Sequence, residues 1–164
     1  MVVTAYLALI GVLGLICLLA YLRGSISVEP DRQMAADIFW GAGLASAASF
    51  GVGWALVSGI ALAAAEGGSG ASVAPQETYV LSDTSLNVLF GSGGGLLGFA
   101  LIALMFGSGG ILPNWLRWVT LVAGILATTA PFFFTAPAIP LWGIVIGVWL
   151  LASGRGRRSA TISS

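Results

Sequence analysis

The feature that most constrains this chain is the run Leu86 to Phe106, uncharged throughout and passing straight through the glycine-rich string FGSGGGLLGF at 90–99. Gly93, Gly95 and Gly98 match the G-x-G-x-x-G spacing that holds a dinucleotide phosphate where a strand turns into a helix. That motif needs a strand before it and a βαβ frame around it. Here about twenty mostly apolar residues continue on both sides of the glycines, the length and character of a membrane-crossing helix. The glycines therefore read as a packing face. Gly91 and Gly95 are four apart, as are Gly94 and Gly98, and small residues at that spacing let a second helix approach closely.

The whole chain shares this solvent. It is 58% hydrophobic and 7% charged, against about 45–50% and about 25% in a soluble domain. A chain of 164 residues with that balance predicts an all-α polytopic membrane bundle: one transmembrane domain over 1–154 with five spans (four as the alternative), then a polar tail over 155–164. There is no Lys and no His, and Cys17 is the single cysteine. One chain therefore makes no intrachain disulfide and no cysteine-based metal cluster.

Residues 2–22 carry no charge and, as a helix, reach roughly 31 Å, enough to cross the hydrocarbon. A cleavable signal would carry a basic N-terminal region and a shorter apolar core; here the first arginine, Arg23, follows the run, so a retained first span is expected. Ala5, Ala8, Gly11 and Gly14 offer it a small-residue face, and Cys17 is expected to be buried and inert. After a polar connection, Pro30-Asp31 reads as a helix start, leading to a second span over 38–65. Gly43, Ala47, Gly51, Ala55 and Gly59 form a ladder at spacing four along it, which favours a right-handed close crossing. Ser46, Ser49 and Ser58 are expected to bond carbonyls of their own helix.

Residues 66–85 are the long hydrophilic segment. Its start reads as a flexible linker, Thr78 to Leu81 has strand-like residues, and Ser82 and Asp83 offer caps for the next helix. The third span, 85–107, holds the opening glycines, with Asn87 expected to bond water or a neighbouring helix. Glycines at 107–110 break it, and Pro113 restarts the chain in LPNWLRW. There Trp115, Arg117 and Trp118 form an interfacial anchor, indoles at headgroup level and Arg117 reaching outward. A fourth span is expected over 115–134, a proline-bracketed turn at Pro131, Pro137 and Pro140, and a fifth, short span over 140–153 with Gly143 and Gly147 as a further small-residue pair.

All six arginines fall at Arg23, Arg32, Arg117 and the tail, whereas the acidic loop has none. Five spans with the N-terminus outside put every arginine and the C-terminus in the cytoplasm, as the positive-inside bias prefers. A re-entrant hairpin around the prolines is the alternative at that turn, because irregular backbone at depth is tolerated when protein covers it. The spans carry no deep ionisable group, which argues against proton relays, voltage sensing and most ion-coupled transport. Without His or clustered thiols, nucleophilic triads and metal-assisted hydrolysis lack their groups. Glu66, Glu77 and Asp83 read as solvated charge rather than a cation site. No cofactor is expected, and no basic, aromatic-interleaved stripe points to nucleic acid.

LPNWLRWVTLVAGIL followed by IPLWGIVIGVWLL resembles uncharacterised multi-pass prokaryotic membrane proteins whose closing half has a Leu-Pro-x-Trp-Leu-x-Trp turn leading into an Ala/Gly-rich helix. The likeness covers roughly 87–151 and implies a small helical domain of the cell membrane; no catalytic residues carry over. The function expected is a non-enzymatic accessory module that packs against itself or another membrane protein in the lipid bilayer. The alternative is a permease-like component for a neutral or apolar solute.

Overall fold

The structure, a computed structural model, describes residues 2–27, 30–65, 75–129 and 138–161. No strand occurs among them. Helix α1 covers Val2–Ile26. A 3-10 turn, Pro30–Arg32, leads into α2, Gln33–Ala65. Helix α3, Pro75–Leu86, continues through a π-helical segment, Asn87–Gly94, into α4, Gly95–Gly107. Helices α5, Asn114–Thr128, and α6, Ala138–Thr161, complete the chain. Three stretches, Tyr6–Ile26, Pro30–Ala63 and Gln76–Gly107, are long and apolar enough to cross a membrane.

Several boundaries differ from the sequence expectation, each for a local reason. Pro75 opens α3 ten residues ahead of the expected third span, with Glu77 in its first turn, where a fixed φ and a negative charge both suit a helix start. Thr78 to Leu81 is thus helical, and Ser82 and Asp83 lie inside the helix rather than at its cap. Helix α5 ends at Thr128, short of 134; residues 130–134 of the expected fourth span lie outside the described residues, as do Pro131 and Pro137 of the expected turn and the linker 66–74. Helix α6 runs on through the first part of the expected tail, to Thr161. The π segment was not foreseen at all.

Helix α2 is the centre of the assembly and packs on α1, α3, the π segment and α4; α4 in turn packs on α5, and α5 on α6. The core is aliphatic and aromatic: Leu19, Leu22, Phe39, Leu97, Leu101, Leu104, Leu116, Trp142 and Ile146 are all buried in one cluster. Apolar side chains also cover the outside. Tyr6, Leu7, Ile10, Leu13, Phe99, Phe106, Ile144 and Leu151 are more than half exposed.

One end of the bundle gathers the arginines. Gly107 of α4 lies against Ile26 of α1 and Ala35 of α2, so the end of α1, the start of α2 and the end of α4 meet there. The turn that follows uses Gly109 at φ +39°, a conformation glycine adopts at no steric cost. The Arg32 guanidinium occupies the space a Cβ on Gly109 would need. Arg23 Nη2 bonds Asp37 Oδ1 at 2.9 Å, and its guanidinium lies 5.6 Å from the Trp40 ring. Arg117 enters the same end from the first turn of α5.

Candidate helix-packing site

Close helix contact requires small residues where backbones meet, and the structure concentrates them at two crossings. Where α2 meets the π segment, a Cβ on Gly53 would lie 2.9 Å from Leu89 Cβ and 3.0 Å from Leu89 Cα. A Cβ on Gly93 would lie 3.1 Å from the Phe50 ring. One turn before Phe50 the buried Ser46 hydroxyl donates to the Gly93 carbonyl at 2.6 Å. Ser46 therefore bonds across the interface, not to its own helix as the sequence suggested, whereas Ser49 does bond its own Ala45 carbonyl at 3.0 Å. Where α4 meets α5, a Cβ on Gly98 would lie 2.6 Å from the Thr128 nitrogen and 2.7 Å from the Gly124 oxygen. There two backbones are in contact.

The expected small-residue set divides sharply. In the α2 ladder, Gly43 is closed by Leu19 of α1, with 2.8 Å to Leu19 Cδ1, and Ala47 is buried. Gly51 and Gly59 have nothing within 4 Å of a Cβ position, and Ala55 is exposed. The ladder drifts because four residues turn the helix by about 400°, leaving the helix face by about 40° at each step. The buried face of α2 instead runs Ala36, Phe39, Gly43, Ser46, Phe50, Gly53, with Phe50 only partly buried, alternating steps of three and four. Such alternation is the repeat of a coiled-coil seam, and of the expected ladder it takes in Gly43 alone.

On the middle rod, Gly98 and Gly94 are buried, but Gly91 and Gly95 have nothing within 4 Å of a Cβ position. Gly95 is therefore not the contact expected of it; Gly93, one position from the expected Gly94, touches α2. On α6, Gly143 and Gly147 are likewise open, as are Gly11 and Gly14 on α1. Sequence reasoning missed Gly53, Gly93 and Gly124. A signal for Gly124 was present: Thr120, Ala123, Gly124 and Ala127, all buried, form a stripe of small residues along one face of α5.

The polar residues bring no further constellation together. Asn87 Nδ2 bonds the Asp83 carbonyl at 2.9 Å and Asp83 Oδ2 at 3.2 Å, within its own helix rather than to a neighbour. Cys17 is exposed, not buried. Trp115 and Trp118 are exposed, and between them Arg117 is half-buried, its Nε sealed from solvent without a hydrogen-bond partner. Among the described residues no group of three His, Cys, Asp or Glu stands close enough to hold a metal. Glu66 lies outside them. Comparison with protein-family models, with curated proteins and with solved structures finds no match for the chain.

Proposed function

We propose that the chain is a multi-pass protein of the cell membrane that works as a non-enzymatic packing module, joining a second copy of itself or another membrane protein through its open small-residue faces. One observation carries this reading. Gly51 and Gly59 on α2 have nothing within 4 Å of a Cβ position, and Ala55 between them is exposed; α1 borders Gly51 and Ala55 only across an open groove lined by Ala8, Leu9 and Val12, which leaves room for an outside helix. Small residues are poor at filling space against lipid and good at admitting another backbone. The exposed apolar side chains of α1, α4 and α6 support a hydrocarbon surround, since contiguous apolar surface of this kind marks a membrane or protein contact.

Orientation follows from charge. Arg23, Arg32 and Arg117 share one end, and the positive-inside bias assigns that end to the cytoplasm and the N-terminus to the outside. Trp115 and Trp118 suit the headgroup level of the same side. The resemblance to multi-pass prokaryotic proteins at LPNWLRW agrees with this reading. Native mass spectrometry in mild detergent tests it: a dimer, a higher oligomer or a copurifying membrane protein is expected, and a strictly monomeric protein without a partner contradicts it.

A further inference from the structure

The contacts fix how far each helix rises from the arginine end. Ile26, Ala35 and Gly107 are level there, so heights on α1, α2 and α4 count from them at about 1.5 Å per residue. Gly98 stands nine residues above Gly107, about 13 Å up, and at that height it meets Gly124 and Thr128, the last turn of α5. Helix α5 thus ends at roughly 15–20 Å. Helix α6 begins near that height. Trp142, in its second turn, donates Nε1 to Thr120 Oγ1 at 3.1 Å, and Thr120 lies eight residues before the end of α5. Ile139 and Pro140 line a groove shared with α1 from Leu7 to Leu15 and with Phe50 and Trp54 of α2, which stand about 17–29 Å up. Helices α1 and α2 continue well beyond, Val3 to about 35 Å and Ala65 to about 45 Å.

We infer that α5 and α6 are the two arms of a re-entrant hairpin: α5 enters from the arginine side and ends near the middle of the bilayer, and α6 starts at a similar depth and returns to that side, so that the chain crosses three times rather than five. Helix α5 has 15 residues, about 22 Å, too short for a hydrocarbon core of about 30 Å. The apolar part of α6, Ile139–Ser153, is also below crossing length. A hairpin that stops at depth must be covered by protein and have its polar groups paired internally. Leu116, Thr120, Ala123, Ala127, Trp142 and Ile146 are buried, and the Trp142–Thr120 bond pairs the buried Trp142 indole. Arg117 and the tail arginines then share a side without either helix crossing.

The inference rests on the membrane reading, and one experiment separates the two. On a Cys17→Ser background, single cysteines replace Leu141, Ile144 and Leu151, all outward-facing on α6, and Leu13 and Val52 as references on α1 and α2. Each carries a nitroxide in proteoliposomes, and depth is read from collisions with oxygen against a water-soluble nickel chelate. Depth should be greatest at Leu141 and fall steadily to Leu151 at the arginine-side headgroups, with Leu141 about 10 Å or more from the opposite headgroups. A Leu141 label at the opposite headgroup level, with Leu13 in hydrocarbon, overturns the hairpin and leaves the membrane reading standing. Leu13 and Val52 labels fully open to the chelate overturn both.

Discussion

Glycines in this chain are not equivalent, and the difference is set by which atoms stand opposite each. Gly98 faces backbone atoms of α5, which cannot swing aside, whereas Gly95, three residues earlier, faces open space. Gly98→Leu should therefore lower stability by about 3 kcal/mol or more, as overpacking against fixed atoms does. Gly95→Leu should leave the thermal transition in detergent unchanged, and the pair of melts checks both. Ser46 makes a second case. Its bond to the Gly93 carbonyl is buried at 2.6 Å, so Ser46→Ala should cost about 1 kcal/mol and speed hydrogen exchange locally in the π segment, with helix ends distant from it unaffected. None of this was legible residue by residue. Asn87 and Ser46 look alike in the sequence as polar residues of a span, yet one bonds its own helix and the other a helix 47 positions away, and only tertiary register separates them.

At the scale of elements, long apolar runs were legible because hydropathy over about twenty residues is a strong signal. Their lateral faces were less so. The ladder at spacing four on α2 is conspicuous as a string, but burial follows Ala36, Phe39, Gly43, Ser46, Phe50 and Gly53, where large and small residues mix and the pattern is weaker to the eye. Gly53→Leu should consequently destabilise the fold through Leu89, while Gly59→Leu should be neutral for the isolated chain in thermal unfolding. The π segment escaped because its register is a matter of backbone bonding. Gly91, Gly93 and Gly94 have weak helix preference, which permits the altered register without announcing it. In the α5–α6 hairpin, a double-mutant cycle with Trp142→Phe and Thr120→Val should return a coupling of about 0.6 kcal/mol, typical of interhelical bonds in a membrane setting.

At the scale of the molecule, three long apolar helices and two shorter ones among the described residues pack together, with Arg23, Arg32 and Arg117 at one end, Glu77 and Asp83 on α3 towards the other, and apolar side chains around the flank. Much of its small-residue surface is consumed internally: Gly43 by α1, Gly53 and Gly93 by the α2 crossing, Gly98 and Gly124 by each other. What remains on α2, from Gly51 to Gly59, is loosely filled, with Gly51 and Ala55 bordering an open groove against α1 and nothing within 4 Å of a Cβ on Gly51 or Gly59, and the proposal is that a second membrane chain occupies this seam. Native mass spectrometry in mild detergent on the wild type and on a Gly51→Leu/Gly59→Leu variant tests this most directly, with thermal unfolding as the control for folding. The wild type is expected to associate, and the variant to fall to monomer with its melting temperature as a monomer unchanged. A wild type that is monomeric and alone, or a folded variant that associates as before, would contradict it.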